Sequence, residues 1–206
     1  MSEPYNPLDK LNLARSIEVE LLGRRATPLS EAAKVHGAGV YAIYYWGGFP
    51  AYAAISKDPA DPDAKPIYVG KAIPQGGRKG GLTADSGRSR ALASRLRNHA
   101  SSVNQASNLN LADFWARHLA VDDIWIPLGE NMLIQTFQPI WNVVIDGFGN
   151  NDPGIRRATQ YRSPWDVIHP GRLAFEKLAP SPQTADIWIE RIAEFLARQP
   201  DSQPSP

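Results

Sequence analysis

Arg95 and His99 stand four residues apart in a segment that the apolar row Leu92, Leu96 and Ala100 predicts to be a helix. Residues at this spacing share one face of a helix. An arginine side chain offers a planar fork for two phosphate oxygens and stays charged in any site. Two cations so close repel each other, so we expect a neutral His99 that accepts a proton or a phenol hydrogen bond. The pair indicates phosphate chemistry, and a basic helix face that contacts only water is the alternative.

The sequence excludes several other kinds of site. The chain has no cysteine, which removes disulfides, thiolate nucleophiles and cysteine-based zinc sites. No P-loop occurs, because Gly70 and Lys71 are followed by Ala72. The four histidines are scattered, and no G-x-S-x-G nucleophile motif is present. The D-A-K run at 63–65 matches the D-x-K end of a known metal-site signature, but it lies among prolines with no strand to hold it.

The charge of the chain is unevenly distributed. Its 206 residues include 22 Lys and Arg against 21 Asp and Glu, for a net charge of +1. Residues 65–97 contain eight basic side chains and one acidic side chain, Asp85, so this segment carries +7 and the rest of the chain −6. Such a basic block indicates a phosphate-bearing partner, and a solvated basic helix with its loop is the alternative.

The residue patterning predicts the elements that must position these side chains. Helices are predicted over 9–22, 30–37, 89–101, 124–137 and 186–198, and strands over 39–46, 51–55, 66–71 and 114–121. Strand 39–46 is apolar or aromatic on both faces, which predicts that it is buried in a sheet. We therefore predict an α/β (α+β) fold with a small mixed or antiparallel central sheet flanked by helices.

The chain is predicted to form one domain over residues 1–206, with a core at about 37–142, an N-terminal helix and a C-terminal helical extension, which contains a second basic run. No stretch approaches the ~18 apolar residues of a membrane span. The N-terminus also lacks the basic and apolar regions of a secretory signal. These features, with the absence of cysteine, predict a cytoplasmic protein without a membrane partner.

Two short motifs occur on predicted strands, Gly39-Val40-Tyr41 and Tyr68-Val69-Gly70, and the candidate residues Arg95, Glu130 and Asn142 follow them in order. This order resembles the GIY-YIG nuclease superfamily. Tyr41 and Tyr68 are 27 residues apart, farther than in most members. Such an insertion is similar to that of type II restriction endonucleases of the superfamily, in particular the isoschizomers of SacII, which cut CCGCGG. The segments PIYVGKAIPQGGRKGG, DDIWIPLGENMLI and WNVVIDGFGN extend the resemblance over most of the chain.

The resemblance implies a role for each tyrosine. Tyr41 would be the general base, although a free phenol with a pKa of ~10 needs positive charge nearby to stabilise its phenolate. Arg95, Lys71 and the metal are the candidates to supply that charge. Tyr68 would orient water or phosphate through its hydroxyl. The alternative for both is core packing, the usual role of a strand tyrosine.

The remaining catalytic candidates are Arg95, His99, Glu130 and Asn142. Glu130 is the one carboxylate in the set, and carboxylate oxygens usually hold Mg²⁺ together with waters and substrate phosphate. We therefore expect one Mg²⁺ per active site, replaceable by Mn²⁺, with Glu130 as its ligand. A solvent-facing glutamate is the alternative. Asn142 is expected to tie the site together through hydrogen bonds to the backbone, and either His99 or Tyr41 takes the proton of water.

The resemblance also implies double-stranded DNA as the substrate. The basic residues expected to bind it are Lys71, Arg78, Lys79, Arg88, Arg90, Arg97, Arg156, Arg157 and Arg162. Phosphate contacts from the 71–97 block make affinity depend on salt, and the last three arginines are candidates to read guanine O6 and N7. Ordinary surface arginines are the alternative for each. A palindromic site is most simply cut by a homodimer, with a cognate DNA methyltransferase as genetic partner.

Two further functions stay open. One is a structure-specific DNA repair nuclease of the same superfamily, like the incision module of UvrC. No helicase-type, zinc or helix-hairpin-helix region is visible in the sequence to support it. The other is a catalytically inactive DNA-binding module, against which the intact set of Tyr41, Arg95, His99 and Glu130 argues.

Overall fold

A computed structural model describes residues 9–74, 89–150 and 160–199. Within these ranges the chain is α+β, with an antiparallel sheet flanked by helices, as the sequence predicts. The strands are β1 (Thr27–Pro28), β2 (Gly39–Tyr45), β3 (Tyr68–Ala72) and β4 (Phe114–Ala120). The α-helices are α1 (Lys10–Leu22), α2 (Ala91–Gln105), α3 (Ile126–Phe137), α4 (Ile140–Val143), α5 (Pro164–Ile168), α6 (Leu173–Glu176) and α7 (Ala185–Arg198). Short 3-10 helices cover Leu29–Lys34, Pro50–Tyr52 and Leu111–Asp113.

The strands lie in the order β1-β4-β2-β3, and every pairing is antiparallel. β2 is therefore central, and Tyr41 lies opposite Gly70 of β3 and His118 of β4. β3 is an edge strand of the described sheet. An edge strand leaves half of its backbone groups without a strand partner.

Two separate clusters of buried side chains cover the two faces of the sheet. Successive residues of a strand point to opposite faces, so Tyr41 and Ile43 pack with α2, whereas Val40 and Ala42 pack with α1 and α3. We call these the α2 face and the α3 face. All seven residues of β2 are buried, which confirms the prediction of a strand covered on both sides.

The predicted strand at 51–55 is wrong. Residues Pro50–Tyr52 form a 3-10 helix, and the following amides of Ala53 and Ile55 donate to carbonyls three residues back. Pro50 has no N–H to give to a strand ladder, and both neighbours of β2 come from later segments of the chain. The predicted helix at 30–37 is a 3-10 helix over Leu29–Lys34 that starts after Pro28 without a side-chain cap.

The longer predicted helices are confirmed within a few residues. α1 begins after Asp9, whose carboxylate accepts a hydrogen bond from the amide of Leu11 at 2.7 Å. Pro127 lies in the first turn of α3, where its missing N–H costs nothing. Sequence patterning missed the two-residue strand β1, which is too short to show alternation. No helix in the described ranges has the length and apolar character needed to span a bilayer.

Candidate active site

Tyr41 and His99 meet between the central strand and α2. The phenol oxygen of Tyr41 lies 2.6 Å from Nε2 of His99. Both side chains are buried, with 0% and 1% of their surfaces exposed. The β2 backbone positions the phenol, and the buried face of α2 positions the imidazole.

The protonation of His99 follows from its surroundings. Burial lowers the pKa of His99 well below its usual 6.5, and the charges of Arg95 and Arg172 lower it further. His99 is therefore neutral at neutral pH, in agreement with the sequence-based expectation. A neutral imidazole has one donor and one acceptor nitrogen, and in the tautomer with the proton on Nδ1, Tyr41 donates its proton to Nε2 of His99.

In the absence of substrate, Tyr41 is a neutral phenol. Burial raises the pKa of Tyr41 well above 10.0, and the neighbouring Tyr68 raises it further. Arg95 lowers this pKa by its charge and by hydrogen bonding, while Glu130 raises it. The positive charge expected from the sequence is thus present, but burial outweighs it.

Arg95 is held beside this pair by a loop that follows α4. Its Nη2 donates to the carbonyl oxygen of Gly149 at 2.6 Å. The neighbouring Phe148 ring stacks on His99, with centroids 4.5 Å apart and planes inclined by 19°, and meets Tyr68 nearly edge-on at 5.1 Å. The loop thereby contacts three predicted site residues.

Two glycines allow the side chains to approach so closely. A Cβ at Gly70 would collide with the hydroxyl of Tyr41, which lies across β3. A Cβ at Gly149 would collide with the hydroxyl of Tyr68 and stand 3.2 Å from Nη2 of Arg95. The last residue of the Tyr68-Val69-Gly70 motif is therefore a glycine for a steric reason.

Glu130 reaches the site from the opposite face of the sheet. Its Oε2 lies 2.5 Å from Nζ of Lys71, and the Glu130 side chain is 16% exposed. Lys71 alternates with Gly70 along β3 and so points toward the α3 face. The Glu130 charge still raises the pKa of both Tyr41 and Tyr68. The candidate site therefore straddles the edge strand β3.

The chemistry of Glu130 fits a single hard cation. Its carboxylate is partly exposed, and carboxylate oxygens are ligands that Mg²⁺ and Mn²⁺ accept. Within the described residues, no three acidic or histidine side chains cluster to hold a metal. A cation here would take its other ligands from water and from substrate phosphate, and it would compete with Lys71 for the carboxylate.

Asn142 occupies the free edge of β3. Its side-chain amide donates to the carbonyl oxygen of Val69 and its oxygen accepts from the amide of Val69, both at 2.8 Å. The backbone of α4 adds a hydrogen bond from the amide of Trp141 to the carbonyl of Ile67 at 3.0 Å. These bonds replace a missing strand, and they are the backbone contacts that the sequence analysis expects of Asn142.

A polar cleft of about 600 Å³ opens beside these residues, between α2 and the C-terminal segment. Arg95 and His99 form one part of its wall. Asn98, Ser102 and Asn150 continue the polar lining. Arg95 and His99 thus lie beside a surface able to hydrogen-bond a polar substrate.

The residues predicted to bind DNA are only partly described. Arg78, Lys79, Arg88, Arg156 and Arg157 lie outside the described residues. Arg90 donates to Nε2 of His36 and to the carbonyl of Ala33, at 2.8 and 2.7 Å. Arg97 is exposed and lies about 200° around α2 from Arg95. Arg162 donates to the carbonyl of Glu176 at 2.8 Å.

The structure therefore brings Tyr41, Tyr68, Arg95 and His99 together on the α2 face. Lys71 is predicted as a DNA contact and as a source of positive charge for Tyr41, and in the structure it forms an ion pair with Glu130. The sequence analysis missed the roles of Phe148 and Gly149. A Gly-Phe-Gly run after a helix was the available signal, but a ring that stacks on a residue 49 positions earlier leaves no local pattern.

Comparison with models of known protein families finds a family that the chain matches over most of its length. The family model described as the Eco29kI GIY-YIG domain matches residues 33–196, which is 164 of 206 residues. The match includes both tyrosine motifs, α2, α3 and most of α7. No curated protein matches the chain.

Proposed function

Because the chain belongs to the Eco29kI family of GIY-YIG restriction endonucleases, we propose that it is a type II enzyme that cuts both strands of DNA at a short palindrome. The resemblance to SacII isoschizomers makes CCGCGG the candidate site. The observation that carries the proposal is the hydrogen bond between Tyr41 and His99, with Arg95 and Glu130 close enough to change the pKa of Tyr41.

The Tyr41–His99 hydrogen bond supplies a path for one proton. As water attacks the scissile phosphorus, the bond to the leaving 3′ oxygen breaks and that oxygen takes a proton from solvent. The proton of the attacking water passes to the phenol oxygen of Tyr41 while the phenol proton passes to Nε2 of His99. Tyr41 then never becomes a free phenolate, which its raised pKa disfavours. The negative substrate phosphate raises the proton affinity of His99 at the moment it is needed.

Arg95 and Glu130 act on the charge of the phosphate. Arg95 keeps its charge beside the phenols, and its guanidinium stabilises the negative charge that develops on the phosphate oxygens. Glu130 would hold Mg²⁺, which supplies further charge stabilisation when bound. The hydroxyl of Tyr68 is placed to orient water or a phosphate oxygen.

The rest of the proposal concerns partners. A palindromic site is matched by a C2 homodimer that presents one active site to each strand. A restriction activity requires that host DNA be protected, so a cognate methyltransferase is the expected genetic partner. We place the protein in the cytoplasm, the compartment of its DNA substrate.

The decisive experiment compares three substrates, which are a duplex with CCGCGG, the same duplex with one base pair of that site changed, and a branched duplex without the site. The protein is incubated with each duplex in Mg²⁺ and in excess chelator, and products are mapped on both strands. Cuts in both strands of the intact site, in Mg²⁺ only, support the proposal. Cuts only in branched or damaged DNA indicate a repair nuclease, and a shift in mobility without cleavage indicates a binding module.

A further inference from the structure

Arg172 is a buried cation that the sequence analysis did not single out. It is 3% exposed. Its Nε and Nη2 donate to the two carboxylate oxygens of Asp166, each at 2.7 Å. Its guanidinium also lies over the ring of Phe175 at 3.8 Å and the ring of Trp165 at 4.6 Å. The guanidinium is therefore held rigidly from several directions.

The remaining donors of Arg172 bind the backbone of another segment. Nη2 donates to the carbonyl oxygen of Gly147 at 3.0 Å, and Nη1 donates to the carbonyl oxygen of Phe148 at 3.3 Å. Asp166 is in turn fixed by the Ser163 hydroxyl, which donates to it at 2.6 Å. One side chain thus connects the C-terminal segment to the loop 147–149.

This loop is the one that holds the active site. The carbonyl of Gly149 accepts from Arg95, and the ring of Phe148 stacks on His99. The carbonyls bound by Arg172 are those of the two preceding residues, Gly147 and Phe148. A shift of the loop would move the Arg95 acceptor and the His99 stacking partner together.

We propose that Arg172 is a positioning residue for the nuclease reaction, which sets Arg95 and His99 through the backbone of loop 147–149. The inference rests on the proposed function, because it assigns Arg95 and His99 to that reaction. The planar fork is required, since one ammonium cannot reach a carboxylate and two carbonyl oxygens in these directions.

The test separates loop positioning from stability by using Arg172→Lys. Lysine keeps a positive charge beside Asp166, so the buried carboxylate is not left without a cation. It cannot also donate to both loop carbonyls. We expect the single-turnover cleavage rate constant of the folded fraction to fall roughly 10- to 100-fold with DNA affinity unchanged, while the melting temperature falls because the loop carbonyls lose their donors.

Ile192→Ala is the matched control. Ile192 is fully buried in α7, and its truncation destabilises the C-terminal packing but removes none of the hydrogen bonds that Arg172 makes to the loop. This variant should lower the melting temperature yet retain the cleavage rate constant of its folded fraction. An unchanged rate constant in Arg172→Lys, or an equal loss in Ile192→Ala, would overturn the proposal.

A readout without DNA distinguishes this inference from the proposed function. The amide of Asn150 donates to the carbonyl of Gly147 at 3.1 Å, so its hydrogen exchange reports the order of the loop. Exchange at Asn150 should accelerate in Arg172→Lys and stay unchanged in Ile192→Ala. Unchanged exchange in Arg172→Lys contradicts the positioning role even if the protein cuts no DNA at all.

Discussion

The phenol oxygen of Tyr41 lies 2.6 Å from Nε2 of His99, and both side chains are buried between β2 and α2. The same kind of contact recurs in the core, where the phenol of Tyr52 lies 2.6 Å from Nε2 of His169. Tyr52 also accepts a hydrogen bond from Trp141 at 3.0 Å, so its proton is directed to His169. Among the described residues, His99 and Arg95 line the cleft, whereas Tyr52 and His169 do not, so the proposed reaction uses the first pair and the second is structural.

Tyr41→Phe should abolish most cleavage while preserving the fold. It removes the phenol that relays a proton to His99, so the single-turnover rate should fall about 10²- to 10⁴-fold. The unpaired Nε2 of buried His99 should lower the free energy of unfolding by about 1–3 kcal/mol. Rapid-quench cleavage and urea unfolding measure the two effects.

Tyr44→Phe is the matched control for that variant. Tyr44 lies on the opposite face of β2, where its hydroxyl accepts from Arg117 at 3.2 Å. Its cleavage rate should equal that of the unchanged protein. If Tyr41→Phe cuts as fast as Tyr44→Phe, the phenol of Tyr41 is not the base.

Glu130→Gln should lower the rate of metal-dependent cleavage about 10²-fold or more, because a neutral amide is a poor ligand for Mg²⁺. DNA affinity should be retained, since the substitution removes a negative charge near the bound phosphate. A Mg²⁺ and Mn²⁺ titration of the cleavage rate measures the effect. Glu20→Gln is the control, because Glu20 lies on α1 and forms only an exposed ion pair with Arg24. A Mg²⁺ dependence shared by both variants would exclude Glu130 as the ligand.

Asn142→Ala should weaken the edge of the sheet. The buried amide and carbonyl of Val69 lose their partners, so the free energy of unfolding should fall by about 1–3 kcal/mol. Asn142→Asp keeps the acceptor but places an oxygen against the Val69 carbonyl, so it should be destabilised as well. Asn131→Ala, at an exposed position on α3, should unfold like the unchanged protein, and equal stability of all three would contradict this role for Asn142.

Buried histidines should make stability depend on pH. The folded-state pKa of His169 is lowered by burial to about 3, against about 6.5 in the unfolded chain. The unfolded state therefore binds protons first, and stability present above about pH 6.5 is lost as the pH falls toward 3. Each such histidine contributes a slope of about 1.4 kcal/mol per pH unit in this window, and His99 acts in the same direction.

Urea unfolding at several pH values between about 7 and about 5 measures that slope. His169→Gln should make it shallower by the contribution of one group. Asn131→Ala, at an exposed position on α3, should leave the slope unchanged, because it removes no titratable group. A slope that is the same in all three proteins would show that His169 is not the group that titrates on unfolding.

Much of the fold can be predicted because its determinants are local. β2 was predicted from its apolar and aromatic residues, and α2 from its apolar row, since both signals repeat along one segment. The prediction is wrong for segment 51–55, because its residues resemble those of a strand although the chain begins this segment in a 3-10 helix. Tyr52 is needed there to bind His169 and Trp141, which are distant in sequence.

The sequence by itself determined which side chains are available for chemistry and on which elements they stand, including Tyr41, Arg95, His99 and Glu130. Only the tertiary structure decided their relations: the phenol of Tyr41 against His99, Glu130 from the other face of the sheet, and the loop held by Arg172. The physical reason is that composition and periodicity act within a segment. Pairing, burial and the pKa shifts they cause depend on groups brought together from dozens of residues apart.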